Sequence, residues 1–116
     1  MRYFQLKEFD SPDLPGSGEY MQKDFLKMLD EARHLAGIPF IVNSAFRTKK
    51  HNSLIGGRVG SSHLNGCAVD LRVHHSGDRE KVLKALIMVG FNRIGIADTF
   101  IHADNDKFKD PAIWLY

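Results

Sequence analysis

The chain has one cysteine, Cys67, among 116 residues. A single thiol excludes an internal disulfide and any zinc motif assembled from several cysteines. Long apolar runs are missing too. No segment approaches the length of a membrane span, and Met1-Arg2-Tyr3-Phe4-Gln5-Leu6 lacks the apolar core of a signal peptide. As written, the chain is expected to be made as a soluble cytoplasmic protein unless something else exports it. An excess of one charge is likewise absent. The net charge is +2, and Lys and Arg are scattered rather than striped between aromatics, so nothing favours nucleic acid. There are no internal repeats or low-complexity stretches, and the helical zinc signature of two histidines four apart around a glutamate does not occur. What remains, 43% hydrophobic and 26% charged, is an ordinary globular composition sized for one domain and one core.

Residues 3 to 9 suggest a weak strand or N-terminal arm, and the Ser-, Pro- and Gly-rich stretch 10 to 18 a loop. From Glu19 to Ala36 the apolar residues Met21, Phe25, Met28, Leu29, Ala32, Leu35 and Ala36 keep three-and-four spacing, which predicts an amphipathic helix stopped by Gly37 and Pro39. Phe40 to Asn43 is a short β-branched strand, and Thr48 to Leu54 a helical turn. Residues 58 to 65 form a polar loop, and Cys67 to Val73 alternates like a strand. A second helix is expected over Asp78 to Val89, with Val82, Leu83, Leu86 and Val89 inward, Ser76 or Asp78 as cap and Gly90 as stop. Two short strands follow, Arg93 to Ala97 and Thr99 to Ala103, and the apolar tail 111 to 116 is expected to dock, as a last strand or as core aromatics. The pattern predicts an α+β domain with two main helices against a small, mostly antiparallel sheet.

Chemistry concentrates in Ser61-Ser62-His63-Leu64-Asn65-Gly66-Cys67-Ala68-Val69-Asp70 and in Phe100-Ile101-His102-Ala103-Asp104. Alternation puts Gly66, Ala68, Asp70 and Arg72 on one strand face and Cys67, Val69, Leu71 and Val73 on the other, so Cys67 is a small buried hydrophobe before it is a nucleophile. Asp70 then sits mid-strand and half-buried, where a carboxylate needs a cation or several donors. An ion pair with Arg72 or Arg47 would satisfy it. His102 and Asp104 share a face of a later strand, and two imidazoles with one carboxylate are the ligands of a catalytic zinc site with a fourth position left for water. His74 and His75 lie in a polar turn and are read as solvated, and His34 as a surface or boundary residue.

The run Ser61-x-His63-x-x-Gly66-x-Ala68-x-Asp70 resembles the signature of the zinc D-alanyl-D-alanine carboxypeptidases and their phage endolysin relatives that cut L-alanyl-D-glutamate bonds, a family sharing its fold with the hedgehog signalling domain. Asn43-Ser44-Ala45-Phe46-Arg47-Thr48 with His51-Asn52, and Phe100-Ile101-His102-Ala103-Asp104, resemble two further segments of that family. The likeness runs from about Phe9 to Asp104 and is closest to the compact single-domain branch of phages, prophages and gut bacteria.

The resemblance implies a hedgehog-like fold, Zn2+ held by His63, Asp70 and His102, and a peptidoglycan stem peptide as substrate. It implies release to the cell wall in phage or prophage lysis as one route to that substrate, and a monomer is expected. Arg47 would orient the substrate by its carboxylate or carbonyl and stabilise the developing oxyanion. His51 and Ser61 are expected to line the cleft. Better-known members carry an acid three residues before the last His ligand, where this chain has Thr99. Asp104 is therefore the first candidate for general base and Asp98 the second, with a ligand-orienting partner as the other reading of Asp104. The departure at Thr99 also keeps open a zinc-containing binding module without turnover.

Overall fold

The computed structural model describes all 116 residues. Three helices, α1 (Lys23–Ala36), α2 (Lys49–Leu54) and α3 (Ser76–Met88), accompany five strands: β1 (Val42–Ser44), β2 (Ala68–Arg72), β3 (Arg93–Ile96), β4 (Phe100–Asp104) and β5 (Ala112–Leu115). The strands form one sheet in the order β1-β2-β4-β3-β5, antiparallel except where β5 runs parallel to β3. This is the α+β class that the patterning predicts. No helix is long and apolar enough to cross a membrane.

Period decides which face is buried. Helix α1 turns Phe25, Leu26, Leu29 and Ala32 inward, and α3 turns Val82, Ala85 and Leu86. Across from them the sheet offers Val69 and Leu71 from β2, Ile94 from β3, and Ile101 and Ala103 from β4, all in one apolar cluster. Each large side chain withdrawn from water there contributes about 1.5–3 kcal/mol. The helices therefore cover one face of β2, β4 and β3, leaving Ile113 and Leu115 of the edge strand β5 exposed, and the alternate residues of the strands lie on the other face.

On that second face one cross-strand row runs through all five strands. Ser44 pairs with Asp70, Asp70 with His102, His102 with Gly95, and Gly95 with Trp114. Val42 pairs with Leu71 while Ser44 pairs with Asp70, so β1 carries one extra residue. A bulge of that kind re-aims the following side chain, and here it brings Ser44 onto the face of Asp70.

The structure departs from expectation in four places. The N-terminal arm is not a strand: Leu6–Phe9 is a 3-10 helix whose Phe9 is fully buried. Helix α1 starts at Lys23 rather than Glu19, because Ser17–Tyr20 forms a separate 3-10 turn and Gln22 is extended, its N–H donating to the Gly66 carbonyl. Leu35, expected inward, is 47% exposed. Helix α3 has His75 at its N-cap with no side-chain cap, so Ser76 and Asp78 lie inside its first turn.

Candidate metal centre

His63 sits in a 3-10 turn, Ser62–Asn65, where Ser61 accepts a hydrogen bond from the His63 backbone N–H. Gly66 then turns the chain into β2 with φ of 68°, and any side chain there would strike the Tyr20 carbonyl. The turn is tied down from outside: Ser62 Oγ donates to Asp106 at 2.7 Å and accepts from Lys109 Nζ at 2.8 Å. The His63 ring is buried, and its Nδ1 lies 2.7 Å from the Ala45 carbonyl. A carbonyl only accepts, so Nδ1 carries a proton and Nε2 is the ring nitrogen left to serve as a metal ligand.

That nitrogen faces Asp70, whose Oδ1 is 3.4 Å from His63 Nε2 and 3.0 Å from His102 Nδ1. One ligand atom from each of the three residues lies within 4.8 Å of the others. Ligand bonds of about 2.0–2.1 Å in a tetrahedron place their donor atoms roughly 3.3 Å apart. The spacing and the mix of two imidazoles and one carboxylate therefore fit a zinc ion. No thiolate is needed, and none is at hand. Cys67 is buried beside the turn, and burial pushes its thiol up to about 12, with Asp106 and Asp104 adding to the effect.

Behind His102 stands a second carboxylate. Asp104 Oδ2 lies 2.7 Å from His102 Nε2, while its Oδ1 accepts from Arg93 Nε at 2.8 Å and from the Asp106 N–H at 3.1 Å. Burial alone would push the carboxyl of Asp104 up, but the bonds from His102 and the Asp106 N–H and the Arg93 charge outweigh it and hold it below the ordinary range. Burial likewise disfavours charge on His102, yet its bonds to Asp104 and Asp70 win and raise its pKa. Asp70 follows the same logic: burial opposes its charge, and His102 and His63 more than compensate. Asp104 thus meets the ring on the side opposite Nδ1, with both oxygens engaged. This is the arrangement in which a carboxylate sets the tautomer and orientation of a ligating imidazole.

Arg47 is nearly enclosed. Nε donates to Ser44 Oγ at 3.0 Å, Nη1 to Asn52 Oδ1 at 3.2 Å and Nη2 to Asp70 Oδ2 at 3.4 Å. Three of its five N–H groups are engaged, leaving one on each terminal nitrogen. Asn52 is itself held by the Arg58 carbonyl, so α2 acts as a bracket for the guanidinium.

The remaining sequence candidates fall elsewhere. Asp98 is exposed in the β3–β4 turn, where its carbonyl accepts from Arg79, and four residues of chain, roughly 13 Å if extended, separate it from His102. Thr99 is exposed beside it. His51 is half-buried on α2, within electrostatic reach of Asp13. The Ser61 hydroxyl serves the turn that presents His63. His34 is exposed and pairs with the Tyr3 hydroxyl. His74 and His75 are exposed and, with Asp78 and Ile38 to Ile41, line a groove of about 380 Å³ to which none of His63, Asp70 or His102 contributes.

Two aromatics that sequence reasoning assigned to core or docking belong to this face. The Trp114 ring centroid is 5.4 Å from that of His102, and Tyr116 packs 5.0 Å from Phe100 and 6.4 Å from Trp114. Gly95 makes room: a Cβ there would lie 2.5 Å from Trp114 Nε1 and 2.7 Å from Tyr116 Cε2. The signal was present as alternation in Ala112, Trp114 and Tyr116, but it points nowhere until β5 is known to lie beside β3.

A family model described as Peptidase M15 matches residues 3–104 of the chain. No curated protein matches it.

Proposed function

The chain belongs to the Peptidase M15 family, and from that premise we propose that it is a zinc-dependent peptidase hydrolysing bonds in the stem peptide of peptidoglycan. The observation that carries the reading is the convergence of His63 Nε2, Asp70 Oδ1 and His102 Nδ1 at zinc-ligand spacing. When bound, zinc polarises a carbonyl and makes water acidic enough to give hydroxide near neutral pH.

The chain's own residues do the rest. Asp104 keeps His102 turned with Nδ1 forward. Arg47, held rigid by Ser44 and Asn52, offers its two remaining N–H groups to a substrate oxygen. Both bonds attacked by relatives of the resembled type suit such a grip, since D-Ala-D-Ala ends in a carboxylate and L-Ala-D-Glu carries one beside the bond. Electrostatic donors aimed at a developing oxyanion are worth about 10²–10³ in turnover.

Incubating the zinc-loaded protein with purified sacculi tests the reading. Soluble product should appear, stop on chelation and return with zinc. Free D-alanine identifies a carboxypeptidase, and a new D-glutamyl N-terminus an endopeptidase. Zinc-loaded protein that releases neither defeats the proposal. A binding module that keeps the metal without turnover is the second reading, favoured by the exposed Thr99 and by the engagement of both Asp104 oxygens. It predicts one zinc per chain and retention on sacculi with no product.

A further inference from the structure

Strands β1 and β5 are opposite edges of the sheet, yet groups that follow from each meet over its middle. Arg47 lies beyond β1 and donates to Asp70 Oδ2 at 3.4 Å, while Tyr116, just past β5, lays its ring edge over Gly95, the cross-strand partner of His102. The Tyr116 backbone is pinned to β3 through its N–H to the Ile96 carbonyl at 3.0 Å. Its ring is backed by Phe100 and Trp114, and Trp114 is in turn braced by Arg93, whose guanidinium lies 5.2 Å from the indole centroid. The residue is 67% exposed, so the phenol stands open to an incoming peptide. Nothing in the fold of the core requires it.

We propose that the Tyr116 hydroxyl is a second hydrogen-bond donor, alongside Arg47, to the substrate oxygen on which negative charge develops. This rests on the peptidase reading above and deepens it. Tyr116 Cε2, the ring carbon next to the one bearing the hydroxyl, would lie 2.7 Å from a Cβ on Gly95, whose cross-strand partner is His102, so the hydroxyl end of the ring lies on the side of the metal group rather than of a distant substrate carboxylate. Partial burial and the Asp70 charge raise the phenol pKa above its ordinary value, so the group stays a donor at neutral pH. Arg47 has two N–H groups to spare, and an oxyanion has room for a further donor from the other side.

The test uses the full chain loaded with zinc, as wild type and as Tyr116→Phe, with phosphinate analogues of D-alanyl-D-alanine and L-alanyl-D-glutamate as probes. Trp114 is the sole tryptophan, so its fluorescence reports binding without requiring turnover. The expected result is unchanged zinc affinity, with phosphinate affinity and kcat both lowered about 10–100-fold and KM within about twofold, because the bond forms only in the transition state. Tyr116→Ala should additionally raise KM through the lost ring. If the wild type binds an analogue and Tyr116→Phe binds it equally well, the hydroxyl has no such role. If neither analogue binds the wild type, the inference falls as well. If the wild type binds an analogue, Tyr116→Phe weakens it and sacculi are not cut, the hydroxyl is a donor to a bound oxyanion only, and the transition-state role falls together with the enzymatic reading.

Discussion

Replacing Asp104 by Asn keeps the shape of the site and changes only where one proton sits. Oδ1 of Asp104 receives two donors, Arg93 Nε and the Asp106 N–H, whereas Oδ2 faces His102 Nε2 alone. The amide oxygen of Asn must therefore take the Oδ1 position, which turns its NH2 toward His102. Nε2 then has to accept, and the proton of the neutral ring moves to Nδ1, the atom required for the metal. To bind zinc the variant must flip the amide and set its NH2 against two buried donors, each unmade bond costing about 1–3 kcal/mol. At the low end that is about 2 kcal/mol, or about 30-fold in zinc affinity, within the 10–100-fold expected for such partners. The metal-free fold changes less. His102 Nδ1–H still donates to Asp70, and Arg93 retains the amide oxygen and the Asp110 carbonyl. Competition with a chelating indicator measures the affinity, and thermal melting of the metal-free protein checks the fold. A variant that binds zinc within threefold of wild type would show that Asp104 does not set the tautomer.

Three further outcomes follow from the same geometry. His102 has a raised pKa in the fold, so in the metal-free protein its contribution to stability is complete below the ordinary value of 6.5 and is lost as pH rises through the higher folded value; zinc, which replaces the Nδ1 proton, should bind more tightly over that same rise, and melting curves with and without zinc from pH 5 to 9 would contradict this if the gap between them narrowed with pH. Gly95→Ala forces a Cβ against Trp114 Nε1 and Tyr116 Cε2, and overpacking of this kind costs about 1–3 kcal/mol; a lowered melting temperature with altered Trp114 emission is expected, and unchanged emission would mean that the indole does not lie over Gly95. Cys67, buried and with its thiol pushed up to about 12, should resist thiol reagents at neutral pH until the protein unfolds, and rapid stoichiometric labelling of the native protein would overturn that.

The convergence of His63, Asp70 and His102 was legible because strand alternation separates Asp70 from Val69 and Leu71, and because the resemblance put the two histidines beside it. The same alternation identified the core positions of β2, and three-and-four spacing those of both long helices apart from Leu35. Helix α1 was drawn too long because Met21 keeps helical spacing while Gln22 instead gives its N–H to Gly66, a partner 44 residues away that no local pattern announces. The placement of Asp104 was unreadable for a related reason. Sharing a strand face with His102 is compatible with either side of the ring, and only the folded contact of Asp104 Oδ2 with Nε2, with Oδ1 held by Arg93 from β3, shows which side it takes. Trp114 and Tyr116 were missed because their meaning depends on parallel pairing with β3 across an irregular connection.

The row Ser44, Asp70, His102, Gly95 and Trp114 takes one residue from each of five strands, and neighbours in it are never neighbours in the chain. A slip of one residue in any strand sends that strand's contribution to the helix-covered side. Capture of an ion by His63, Asp70 and His102 would then report that the β2–β4 ladder has closed in the correct frame. Misaligned chains would be recognisable as those that stay empty when the metal is plentiful.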